Sequence, residues 1–259
     1  MKKTLLTICL VWMCFSLSAQ KIIDLSGKWS FSIDRQDNGE KEKWFSHTLN
    51  DFINLPGSMP EKLKGDEVTA KTQWTGSLYD SSYYYNPYME KYRKEGNIKF
   101  PFFLTPDKHY VGAAWYQKEV NIPADWKGER ILLFLERPHI ETTVWVNGQK
   151  TGMQNSLCVP HQYDITRYVR PGKCTITIRV DNRIKEINVG PDSHSITDQT
   201  QGNWNGIVGR ICLQTTPKTY FDDIQIYPEP EQKLARVKVV IKGTGCLLYT
   251  SPSPRDGLL

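Results

Sequence analysis

The chain has 259 residues, 24% of them charged and 39% hydrophobic, with a formal net charge of +5 at pH 7. That length accommodates one full β domain and the start of another. Setting aside Lys2, Lys3, Arg255 and Asp256 near the termini leaves 30 basic against 27 acidic residues, and no Lys/Arg cluster interleaves with aromatics, so neither composition nor pattern calls for a nucleic-acid partner.

At the N-terminus Lys2 and Lys3 precede an apolar run from Leu5 to Phe15, and Ser16-Leu17-Ser18-Ala19 supplies small residues for cleavage. Residues 1–19 therefore read as a secretory signal peptide. The run falls short of the ~20 residues that cross a bilayer, and Trp12 and Met13 do not suit a lipobox before Cys14. A secreted or periplasmic protein, free of the membrane after cleavage, is expected. Cys9 and Cys14 leave with the signal, which leaves Cys158, Cys174 and Cys212 in the body of the chain. Three is odd, so at most one pair bridges, with free thiols as the alternative. None has Cys-x-x-Cys spacing, so neither a metal nor a cofactor is expected.

From Ile22 onward short apolar alternations separated by turn residues dominate. Leu78 to Tyr88 interleaves tyrosines with Ser, Asn and Asp, a composition that suits a carbohydrate surface and equally suits an insertion pinned by its aromatics. Strands are predicted at Trp115–Ile122, Arg130–Leu135, Thr175–Val180 and Ile207–Gln214, with loops at Pro123–Gly128 and Arg170–Gly172. The clearest run is Ile140–Val146: Ile140, Thr142, Val144 and Val146 share one face, Glu141, Thr143 and Trp145 the other. Asn147-Gly148 then calls for a tight hairpin and a return strand.

No amphipathic helix of length appears, so residues 20–219 read as an all-β antiparallel sandwich or jelly roll. After a pause near Thr216-Pro-Lys, Phe221–Tyr227 and Val237–Ile241, separated by a Pro228–Pro230 loop, begin a second all-β unit over 220–245 that is too short to close a core. Cys246 to Asp256 has no periodicity and resembles a translated sequencing adapter, with a natural Ser/Pro linker as the alternative. Residues 246–259 are therefore expected to be a non-native tail, the natural protein continuing beyond it.

Leu25-Ser-Gly-Lys-Trp-Ser-Phe31, Leu55-Pro-Gly-Ser58, Ala114–Val120, Val144-Trp-Val-Asn-Gly148, Gly152, Ser156, Tyr163-Asp-Ile-Thr166, Asp198 and Gly202–Arg210 agree in order and spacing with one family. They resemble the N-terminal sugar-binding domain of glycoside hydrolase family 2, the β-galactosidase/β-glucuronidase superfamily, with Leu25–Phe31 similar to its opening strand. The resemblance covers Leu25 to Thr216 and implies a galactose-binding-like jelly roll, with Tyr220–Ile241 opening an immunoglobulin-like domain. It implies an exported retaining β-glycosidase, β-galactosidase-like or β-glucuronidase-like, whose partner is a carbohydrate. In that family two Glu on a (β/α)₈ barrel perform the chemistry, and the acid/base follows an Asn. This chain has no Asn-Glu dipeptide and no βα repeat, so it is expected to carry no catalytic residue and to be inactive by itself.

The resemblance also singles out Asp198, eight residues before Gly206, as a carboxylate that binds sugar hydroxyls; a loop-bracing role is the alternative. Asn203 and Trp204 share its loop, and Trp204 is either a platform for a pyranose or a buried anchor. Without the family, Trp145 reads as sheet packing, and Tyr163–Thr166 as the start of a strand whose Asp164 bonds nearby amides. His109 and His194 lack partner spacing and read as ordinary loop histidines. A stand-alone carbohydrate-binding module, or an esterase on the same sandwich, fits the body of the chain as well.

Overall fold

Alternating β-branched and aromatic residues extend the backbone and present one row of side chains to each face of a sheet. The computed structural model describes residues 20–76, 81–185, 190 and 192–243, so the expected signal peptide, the adapter-like tail and Leu78–Asp80 of the tyrosine-rich stretch lie outside the described residues. Its strands in chain order are β1 (Ile22–Asp24), β2 (Gly27–Asp34), β3 (Asp51–Leu55), β4 (Gly57–Ser58), β5 (Asp66–Glu67), β6 (Lys108–His109), β7 (Ala113–Ile122) and β8 (Arg130–His139). Then follow β9 (Glu141–Val146), β10 (Gln149–Asn155), β11 (His161–Asp164), β12 (Gly172–Asp181), β13 (Gly206–Thr216), β14 (Tyr220–Glu229) and β15 (Leu234–Lys242). The one α-helical turn among the described residues is α1, Ser82–Tyr85.

The chain divides between Thr215 and Thr216. In the first unit two sheets face each other, one ordered β10-β9-β12-β7-β2-β3, the other β1-β13-β8-β11 with β4 beside β13. This is an all-β antiparallel sandwich. Ile176, Ile178 and Val180 of β12, Val144 and Val146 of β9 and Tyr116 of β7 meet Leu133 and Leu135 of β8 and Ile207, Ile211 and Leu213 of β13 in the central core. Each such side chain stabilises by about 1.5–3 kcal/mol when fully buried, so this seam dominates the fold.

The outer face of the larger sheet is covered too. Trp115 and Trp145 stack at 5.0 Å, Phe45 stacks on Trp145 at 5.1 Å, and Leu49 joins them, so the segment between β2 and β3 lies over the sheet as a second apolar cluster. At the β12 end of that face Arg179 and Asp181 are buried as ions. Arg179 meets Asp37 at 2.7 Å and Asp181 at 3.0 Å, Arg183 meets Asp37 and Asp181 at 2.6 Å, and Lys185 reaches Glu141 at 2.8 Å. Despite the cost of burial, these cations hold the Asp181 carboxyl far below the usual carboxylate range.

The hairpin expected at Asn147-Gly148 forms, with both residues at positive φ (49° and 76°) between β9 and β10. Three local expectations are corrected. Tyr163-Asp164 ends β11 instead of starting a strand, because Asp164 accepts from the amide and hydroxyl of Thr166 and turns the chain outward. Leu25–Phe31 is not one strand: the chain bends at Leu25-Ser26 and crosses from the smaller sheet to the larger. Pro228 and Glu229 continue β14, and the turn falls at Pro230–Gln232, since a two-stranded ribbon leaves Pro228 free of any need to donate. In the second unit β14 and β15 pair as a hairpin with Ile224, Ile226, Val237 and Val239 exposed.

Candidate functional site

The loop before β13 is wound on Thr197, whose carbonyl accepts from the amides of Thr200, Gln201 and Gly202, the last at φ 81° where glycine is unstrained. This winding turns Asp198 inward. Asp198 is 4% exposed, and three groups converge on its carboxylate: the amide of Asn203 donates to Oδ1 at 2.7 Å, the amide of Thr75 to Oδ2 at 2.7 Å, and His109 Nε2 lies 3.2 Å from Oδ2. An ionised carboxylate offers about four acceptor positions. Three are used, so one remains for a ligand while the rest brace the loop.

Asn203 is built into a ladder of buried amides. Its Nδ2 donates to Thr75 Oγ1 at 2.9 Å and to the Asn182 carbonyl at 3.0 Å, while Asn182 Nδ2 reaches the Tyr110 carbonyl at 2.9 Å. Next in line, Asn205 Oδ1 accepts from the Tyr116 hydroxyl at 2.8 Å, which ties the loop to the sandwich core. Asn203 Oδ1 and Nε2 of His139 are both buried and find no other partner, and the Asn203 side chain bonds the His139 ring. His139 stacks under Trp204 at 4.5 Å, and burial pulls its imidazole down to about 4, so it is neutral at physiological pH.

The three residues singled out by sequence come together. Asp198, Asn203 and Trp204 all line one cleft of 410 Å³, lined also by Ser58 of β4, by Pro60 and Glu61 after it and by Leu104–Asp107. Trp204 is half-buried, one face on His139. A carboxylate with an open position, an amide on the same wall and a half-buried tryptophan beside Pro60, Leu104 and Pro106 suit a polyhydroxylated ring with an apolar face.

His109 is not an ordinary loop histidine. It is buried on β6, held between Asp198 and the Trp74 ring at 4.6 Å. Thr75, His109 and His139 carry no local signal, since they lie 123, 89 and about 60 residues from Asp198 or Asn203 and meet them only through the fold. His194 is exposed. In the tyrosine-rich stretch Tyr83 is 1% exposed and packs on Phe100, pinning the insertion, while Tyr85 and Tyr88 are 72% and 85% exposed. Cys158, Cys174 and Cys212 are all free thiols, the first exposed. Among the described residues no group of three or more His, Cys, Asp or Glu could hold a metal ion.

Residues 22–217 match the sequence profile described as glycosyl hydrolases family 2, sugar binding domain. Relatives include a β-glucuronidase of Homo sapiens, 25% identical over 85% of this chain, and one of Paenibacillus borealis, 27% identical over 80% of it. The chain spans about a third of the length of these curated relatives. Among solved structures, a β-glucuronidase of an uncultured Clostridium superposes with a TM-score of 0.59 at 20% identity, over 87% of this chain and 34% of that one. A Ruminococcus gnavus β-glucuronidase in complex with D-glucuronic acid gives 0.57 at 18% identity, over 88% and 35%. At such identity these likenesses bear on the fold.

Proposed function

The chain belongs to glycosyl hydrolase family 2 through its sugar-binding domain, and from that premise we propose that it is the N-terminal part of an exported, retaining β-glycosidase acting on β-glucuronides. The observation that carries the reading is the convergence of Asp198, Asn203 and Trp204 on one cleft. The open position on Asp198 accepts a sugar hydroxyl, Asn203 lines the cleft beside it, and Trp204 flanks the ring. The names of the relatives favour the glucuronide over the galactoside.

Retaining hydrolysis needs two carboxyl groups about 5–5.5 Å apart, one donating a proton to the leaving oxygen, the other attacking the anomeric carbon. Residues outside this chain supply that pair, so the part of this domain is to bind and orient the sugar. By itself it turns over nothing. The leader at residues 1–19 would place the parent enzyme outside the cytoplasm.

The test is the full-length gene product on p-nitrophenyl β-D-glucuronide, β-D-galactoside and β-D-glucoside. The expected result is the highest kcat/KM on the glucuronide, and no turnover on any of the three overturns the proposal.

A further inference from the structure

The Asp198 cleft does not end at Leu104–Asp107. A second groove, of 1050 Å³, lies on the insertion between β5 and β6, and Thr105, Pro106 and Asp107 line both. Ligand pockets run to about 300–1000 Å³, so the first space suits a terminal sugar and the second exceeds what one ring fills.

The wall between them is firmly held. Phe100 and Phe102 pack edge-on against Trp74 at 4.8 and 5.0 Å, and Trp74 in turn packs on His109, which bonds Asp198. With Phe100 and Phe102 turned inward as anchors, the next two residues are left outside: Phe103 is 84% exposed beside the large groove, and Leu104 is 76% exposed beside the Asp198 cleft. Two large apolar side chains on a pinned ridge, each facing one of two adjoining clefts, present apolar surface where a ligand spanning both would cross. Lys71, Arg93 and Lys99 on the groove supply donors, and Glu67, Glu95 and Asp107 supply acceptors. An exposed aromatic among balanced donors and acceptors matches a chain of sugars.

We propose that the groove beside Phe103 is an extended-glycan subsite, so that the protein selects an oligosaccharide whose non-reducing sugar sits at Asp198 and whose following residues cross the ridge into the insertion. The proposal rests on reading the Asp198 cleft as the sugar site.

The experiment is titration calorimetry of the full-length protein and its Phe103→Ala variant with D-glucuronic acid and with a hyaluronan octasaccharide whose non-reducing glucuronic acid is joined through sulfur, so that it binds without being cleaved. Alongside it, turnover of p-nitrophenyl β-D-glucuronide reports on the parent activity. In the unaltered protein the octasaccharide is expected to bind about tenfold more tightly than the monosaccharide, and Phe103→Ala to remove most of that advantage, as loss of one stacked ring should. Phe103 is exposed, so its replacement leaves the core intact. Equal affinity for the two ligands, or an advantage that survives the substitution, overturns the subsite. Failure to hydrolyse the aryl glucuronide while the octasaccharide advantage persists removes the proposed activity and leaves the subsite standing.

Discussion

Asp198 is at once a brace and a ligand group, and the two roles separate by substitution. Asp198→Ala leaves the amides of Thr75 and Asn203 and the ring of His109 without an acceptor, and each buried donor so stranded costs about 1–3 kcal/mol. A lowered melting temperature is therefore expected, whatever happens to turnover. Asp198→Asn keeps a carbonyl for one amide and removes the charge. In the full-length enzyme it should lose about tenfold in kcat/KM, the measure of a charge-assisted bond to a sugar hydroxyl, and an unchanged kcat/KM would exclude that contact. His139 titrates in the opposite place from a surface histidine. Its folded value near 4 lies below the ordinary 6.5, so neutral His139 supports the fold above pH 6.5 and that support drains as pH falls toward 4. The full effect is about 3 kcal/mol. His139→Phe keeps a ring under Trp204, and thermal melts at pH 7 and pH 5 should show a smaller acid loss in the variant. A residual slope is expected from His161, which burial lowers in the same direction.

At the scale of elements, the period-2 runs that were clean in sequence became central strands: Thr175–Val180 lies inside β12 and Trp115–Ile122 inside β7. Their alternation is legible because one row enters the core. Asp51–Leu55, β5 and β6 escaped prediction, being short and flanked by polar residues, and only their neighbours make them strands. In the site the family resemblance singled out Asp198, with Asn203 and Trp204 sharing its loop, whereas their partners Thr75, His109 and His139 were illegible because pairing across about 60 to 123 residues has no periodicity. The ionic cluster on β12 was equally hidden, since alternation places Arg179 and Asp181 on a face that sequence reads as solvent. Asp181→Ala removes the buried acceptor shared by Arg179, Arg183 and Lys185, and because Arg179 keeps Asp37 and Glu141 the loss should fall short of the roughly 3–5 kcal/mol that a fully stranded buried charge costs. Chemical denaturation should register that loss at pH 7. Because the carboxyl is held low, its stabilising contribution is complete above the ordinary carboxylate range and is lost as pH falls below it. Gly206→Ala is a purely steric companion: a Cβ there would lie 2.5 Å from the Gly57 carbonyl, at a φ of 145°, so the β4–β13 pairing should give way and the melting temperature should fall.

On the scale of the molecule, every residue of the central core lies between Leu25 and Leu213, and both apolar clusters belong to the first unit. Residues 20–216 should accordingly fold alone, with a urea midpoint matching that of residues 20–243; a markedly lower midpoint would show that β14 and β15 contribute to the sandwich. The outer aromatic cluster has a further use. Trp115 and Trp145 stack at 5.0 Å with Trp44 6.0 Å from Trp115, close enough for their excited states to mix and give a coupled circular-dichroism signal. Trp44 and Phe45 ride on the segment between β2 and β3, so lifting that strap would dim part of the signal while the sandwich stays intact. The protein thus carries its own optical gauge of local opening, and needs no attached label.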